Sequence, residues 1–101
     1  MAVEDKTRLS PQQIGIELRD LEGWVYLEQT RELCRVWVFE RFVPTMAMLR
    51  ALTLVMDENN HHSDIQLDSR EKTLTVKVST HSAQAITRAD IDFAKAVNAI
   101  S

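Results

Sequence analysis

Three histidines, His61, His62 and His81, and one cysteine, Cys34, are the side chains of this chain best suited to react near neutral pH. An imidazole with its ordinary pKa of about 6.5 both gives and takes a proton there, so a histidine cluster suits general acid–base chemistry. Other nucleophiles are poorly placed. Cys34 lies in an apolar strand pattern that suits buried packing rather than an activated thiolate. Ser63 and Ser82 adjoin histidines, yet no Gly-x-Ser-x-Gly turn is present to expose a hydroxyl.

Whether the histidines meet depends on the elements between them. Ile65 and Leu67 alternate with Asp64, Gln66 and Asp68, and Leu74, Val76 and Val78 alternate with Thr73, Thr75, Lys77 and Ser79. That period of two predicts a hairpin with Ser69-Arg70-Glu71-Lys72 as its loop. A turn centred near Glu71 sets His61 opposite His81 at the open end, with His62 beside them. The helix before it closes at Asp57-Glu58-Asn59-Asn60, where an Asn can cap in the left-handed conformation. Carbonyls at such a terminus favour a cation. Asp57, one helical turn ahead of His61, is placed to orient an imidazole, and Asp64, Thr80 and Asp90 are the other polar candidates at this mouth. Two other readings stay open on the residues alone. A His-His pair in a polar loop also suits a solvated turn. The three histidines with an Asp are acceptable zinc ligands, although adjacent histidines seldom face one ion and no His-x-x-x-His spacing exists.

The remaining elements frame this corner. Residues 1–9 are polar and expected to be a flexible lead, with 10–101 forming one domain. Ser10-Pro11-Gln12-Gln13 reads as a capped helix start with Pro at the first position. Ile14, Leu18 and Leu21 carry the helix over about 11–22, with Gly23 as its stop. Strands follow at 24–30 and 34–42, the second apolar on both faces and so expected inside a sheet. A helix from near Pro44 would bury Met46, Leu49, Leu52 and Met56, and the aromatic residues around it, Trp24, Tyr26, Trp37, Phe39 and Phe42, read as core and interface. The last helix opens at Thr87, with Asp90 at its third position and an Ile86 to Ile91 staple. The order α-β-β-α-β-β-α predicts an α+β domain with antiparallel strands and helices on one face.

Composition narrows the class. The chain has 101 residues, 45% hydrophobic, with only two Gly and two Pro, which suits a single folded core. A net charge of −3 argues against a partner held by a broad basic face, so direct nucleic-acid binding is not expected. The run Val36-Trp37-Val38-Phe39 falls far short of the ~20 apolar residues of a membrane-spanning helix. The opening residues lack a signal-peptide pattern and Cys34 has no partner in the chain, so a cytoplasmic, reducing setting is expected.

Taken together, the pattern from about residue 9 to 100 resembles the pterin-4a-carbinolamine dehydratase family. Asp57-Glu58-Asn59-Asn60-His61-His62-Ser63 is similar to its acidic-x-x-x-His-His-Pro segment, and Ser79-Thr80-His81 to the Thr-His that ends its last strand. Ile86-Thr87-Arg88-Ala89-Asp90 follows its Leu-Thr-x-x-Asp helix opening, and Leu21-Glu22-Gly23-Trp24 its first strand. The resemblance implies a four-stranded antiparallel sheet with three helices on one side, and a homodimer or homotetramer built through sheet edges and helix packing. It implies dehydration of 4a-hydroxytetrahydropterin to quinonoid dihydropterin, without metal or cofactor. His61, His62 and His81 would do the acid–base work, with Asp57 and Asp90 orienting them or the pterin. Some relatives act instead through a protein partner, as a coactivator or an assembly factor. Ser63 stands where the family has Pro, Ser69 and Arg70 where it has an aromatic, and Gln84-Ala85 where it has Gly-Gly. These differences bear on pterin affinity more than on proton transfer.

Overall fold

The computed structural model describes residues 5–59 and 61–100. The elements run α1 (Pro11–Leu18), β1 (Trp24–Leu27), β2 (Glu32–Val38), α2 (Phe42–Asn59), β3 (Asp64–Asp68), β4 (Thr73–Val78), a 3₁₀ turn (His81–Ala83) and α3 (Arg88–Ile100). The four strands form one antiparallel sheet in the order β1-β2-β4-β3. This is the expected α+β architecture.

Local chemistry accounts for the helix starts. Gln13 N–H donates to Ser10 Oγ at 3.2 Å, and Ser10 N–H donates to Gln13 Oε1 at 2.7 Å. Such reciprocal capping satisfies two otherwise unbonded donors and contributes about 1 kcal/mol. α1 is shorter than the apolar spacing predicts. After Leu18 the chain tightens into three-residue turns, with Arg19, Asp20 and Leu21 N–H bonded to Ile16, Glu17 and Leu18 carbonyls. Gly23, at φ +86°, then turns the chain into β1.

β2 does lie inside the sheet, between β1 and β4. Its two faces fare differently. Leu33, Arg35 and Trp37 pair with Val78, Val76 and Leu74, and those β4 side chains are buried under the helices. Cys34, Val36 and Val38 point the other way, and Val36 and Val38 stay 51% and 74% exposed. The helices therefore cover one face, where Leu33, Leu52, Leu74, Ile91 and Phe93 form the centre of the core.

α2 starts two residues before Pro44, which sits in the first turn, where a missing N–H costs no hydrogen bond. Its buried stripe is Thr45, Met48, Leu52 and Val55 rather than Met46, Leu49, Leu52 and Met56. The helix is apolar almost all round, with Phe42, Val43 and Leu54 exposed, so its pattern could not select the phase. Leu49 and Met56 pack at the shoulder of the core instead.

The β3–β4 register is one residue away from the expected one. Asp68 faces Thr73 and Asp64 faces Lys77, leaving a four-residue loop centred between Arg70 and Glu71. Asp68 Oδ1 accepts from both Arg70 and Glu71 N–H at 3.1 Å, and Lys72 takes φ +54°. An Asp side chain that mimics a backbone turn sets the loop, and hence the register. The expected Asn60 cap lies outside the described residues, but the end of α2 is held by His61 N–H on the Met56 carbonyl at 3.1 Å.

Of the lead expected to be flexible, residues 5–9 lie along the start of α3. Leu9 N–H donates to Ile86 O, Arg88 N–H to Thr7 O, and Ala89 N–H to Asp5 O.

Candidate active site

Three segments converge at the open end of the β3–β4 hairpin: the residues leaving α2, the 79–85 turn after β4, and the opening of α3. Asp90 ties them together. It is fully buried at the third position of α3, where Thr87 N–H donates to its Oδ2 at 2.8 Å as the helix cap. Thr80 Oγ1 donates to the same oxygen at 2.9 Å, and the Thr80 and Thr87 hydroxyls are 2.7 Å apart. The other oxygen, Oδ1, lies 2.8 Å from His61 Nε2. A carboxylate only accepts, so Nε2 carries the hydrogen in this pair.

His61 is 6% exposed, and its ring also tilts against Phe93 with centroids 5.5 Å apart. His62, one residue on, is exposed. His81 opens the 3₁₀ turn and is exposed as well. All three imidazoles line one cleft of about 150 Å³, together with Thr80 and Lys6. The hairpin ladder does not pair His61 with His81, because β3 begins only at Asp64. It is the common bond to Asp90 that draws the end of α2 and Thr80, the neighbour of His81, together.

The other candidates are placed differently. Asp57 is exposed on the last turn of α2 and bonds none of the described residues, so the carboxylate that orients His61 is Asp90. Asp64 faces Lys77 on the open side of the sheet and lines a separate cleft with Ser63 and Gln66. Lys6 was missed because a short polar lead carries no periodic signal; only the backbone bonds of 5–9 to α3 bring it to the histidines. Cys34 is buried, and loss of solvation pushes its thiol pKa up, which keeps it protonated and inert. Among the described residues, no three His, Cys, Asp or Glu side chains converge as ligands for a metal.

The turn after β4 carries the Gln84-Ala85 pair. Gln84 sits at φ +51°, ψ +39°, the left-handed conformation that a glycine adopts without penalty. Its N–H bonds the His81 carbonyl, and Thr80 N–H bonds the Ala85 carbonyl, so the turn closes despite the side chain.

An antiparallel α+β domain thus gathers three histidines at one cleft, one of them bonded to a buried, helix-capping aspartate. The profile of the family described as Pterin 4 alpha carbinolamine dehydratase matches residues 7–100, and the chain belongs to that family. A relative from Rhodopseudomonas palustris (strain BisB18), named "Putative pterin-4-alpha-carbinolamine dehydratase", is 32% identical over 93% of this chain and 91% of its own length. One of the same name from Nocardia farcinica (strain IFM 10152) is 33% identical over 92% of this chain and 94% of its own. A solved structure from Brucella melitensis, described as a transcriptional coactivator/pterin dehydratase, superposes with a TM-score of 0.83 at 26% identity, covering 93% of this chain and 98% of that one.

Proposed function

We propose that this protein dehydrates 4a-hydroxytetrahydropterin to quinonoid dihydropterin, with His61, His62 and His81 as its acid–base groups. The observation that carries the reading is the single cleft lined by all three imidazoles, with His61 held against buried Asp90. One imidazolium gives its proton to the departing 4a-hydroxyl, which leaves as water; another imidazole accepts the proton released from the ring nitrogen. The two transfers cancel in number, and a proton passed from the second imidazole back to the first, through solvent at the cleft, resets the site. His62 and His81, exposed at the cleft, are the groups that exchange protons with substrate and solvent. His61 is the fixed member, and Asp90, with Thr80 behind it, is its positioning residue. Neither Asp57 nor Asp64 has a part in this scheme, because neither reaches the cleft.

Dehydration followed in wild type and in His61→Ala, His62→Ala and His81→Ala tests the proposal. A wild-type rate no faster than buffer would sink it. Acid–base catalysis of this kind contributes about 10²- to 10⁴-fold, so loss of a catalytic imidazole should cost at least tenfold.

A second reading is a protein-binding role, favoured by the coactivator description of the Brucella melitensis structure and by the open sheet face around Val36 and Val38. A homodimer or homotetramer and a cytoplasmic setting complete the proposal. They are supported by the exposed apolar residues Phe42, Val43 and Leu54 of α2 and by Cys34, a buried cysteine with no second one in the sequence to pair with. Among the described residues no helix is long and apolar enough to cross a membrane.

A further inference from the structure

The first N–H groups of a helix have no partner within it and must be satisfied from outside. In α3 the lead at residues 5–9 does this. Arg88 N–H donates to the Thr7 carbonyl at 3.0 Å, and Ala89 N–H donates to the Asp5 carbonyl at 2.7 Å. The Asp5 carboxylate accepts from both the N–H and the hydroxyl of Thr7, which fixes the turn between them. Lys6 therefore sits between two anchored residues, and it forms one wall of the histidine cleft. The rest of the lining is imidazoles and serine and threonine residues, with no carboxylate among the described residues that form it.

An ammonium has three donors and no acceptor, so it meets only acceptor atoms of a bound molecule. Around its reacting carbon a 4a-hydroxytetrahydropterin presents three groups: the departing hydroxyl, the N–H of the adjacent ring nitrogen, and the ring carbonyl on the other side. The imidazoles serve the first two in the proposed dehydration. The carbonyl oxygen is a pure acceptor, which is what an ammonium matches. We infer that Lys6 is a substrate-binding residue that donates to this ring carbonyl, and that it makes the site select an oxo over an amino group there. The inference rests on the dehydratase reading and adds to it the residue that reads the carbonyl. An amino group in that position would set donor against donor and leave the ammonium unmatched. The carbonyl keeps its place while the hydroxyl leaves, so the contact strengthens binding and not the chemical step.

Calorimetry on the full chain compares a dihydropterin with its counterpart carrying an amino group in place of the carbonyl. Wild type should bind the carbonyl form about tenfold more tightly, as expected for one hydrogen bond to a charged group. Lys6→Met keeps the apolar stem and should cut that preference to about twofold, while Lys6→Arg should retain part of it. Lys6 is exposed, so Lys6→Met should melt with wild type, which separates lost binding from lost folding. In dehydration assays Lys6→Met should raise KM about tenfold, with kcat within about twofold of wild type. A fall in kcat at unchanged KM would place Lys6 on the leaving hydroxyl and overturn the inference. Equal wild-type affinities, binding of neither ligand, or a preference that survives Lys6→Met would also overturn it. The dehydration rate alone decides the dehydratase reading: a wild type with the carbonyl preference but no rate above buffer sinks that reading and keeps Lys6 as the carbonyl's partner.

Discussion

His61 Nε2 stands 2.8 Å from Asp90 Oδ1, with Asp90 fully buried and His61 nearly so at the edge of the cleft. The same carboxylate caps α3 and holds Thr80, so one group both builds the corner and aims an imidazole in it. Replacing Asp90 by Asn keeps the shape but removes the charge and puts an NH₂ group where an acceptor is needed. We expect Asp90→Asn to lose about 1–3 kcal/mol of stability and at least tenfold in dehydration rate. Urea midpoints and initial rates on the same preparation check it.

The three histidines should separate by burial. His62→Ala and His81→Ala remove exposed rings and should shift stability by no more than about 0.5 kcal/mol while impairing turnover. His61→Ala leaves Asp90 without its buried partner and empties the space against Phe93, so it should cost about 2 kcal/mol or more. Equal losses of stability in all three would contradict this division.

Gln84 offers a gain. It holds φ +51° without the freedom of glycine, a strain on the order of 1 kcal/mol that exceeds the entropy lost by a glycine there. Gln84→Gly should raise the unfolding midpoint, equivalent to about 0.5 kcal/mol, as read by thermal melts.

Gly23 should behave in the opposite way. At φ +86°, a side chain is strained, and an added Cβ would sit 2.7 Å from Arg35 Nε. Arg35 stacks over Trp37 at 4.5 Å and bonds Asn98, which also accepts from Trp24, so it has little room to retreat. Gly23→Ala should cost about 1–2 kcal/mol, lowering Tm by about 4–8 °C for each.

Glu17 carries a pH signature. Arg88 Nη1 donates to its Oε1 at 2.7 Å, and this hydrogen bond holds the Glu17 carboxyl below its ordinary value of 4.5. A depressed carboxyl stabilises the fold fully above its unfolded pKa, and that contribution disappears as pH falls through the lower folded value. With Glu17 and Arg88 22% and 31% exposed, screening limits the effect to about 0.5–1 kcal/mol. Glu17→Gln should be less stable than wild type by that amount at about pH 7 and indistinguishable from it once pH lies below the folded value.

Much of the corner was legible in local sequence. The Ser10 and Thr87 caps, the alternation of β3 and β4 and the confinement of the histidines to one stretch follow from short-range rules, because each is settled by residues within a turn or two of one another. The α2 phase was not legible, since an all-round apolar helix shows its neighbours no preferred face. The hairpin register escaped by one residue, because the Asp68 side chain rather than loop length set the turn. Asp57 looked like the partner of His61 only because it is near in sequence.

By itself, then, the sequence determined the order of elements, the helix starts, the solvent face of β4 and the reservation of histidine chemistry to residues 61–81. Only the tertiary structure decided which carboxylate meets His61 and that Lys6 joins the cleft. The division has a physical cause. Caps and alternation are bonds between near neighbours, whereas Asp90 and Lys6 reach the site through packing between segments far apart in the chain, whose geometry no local pattern records.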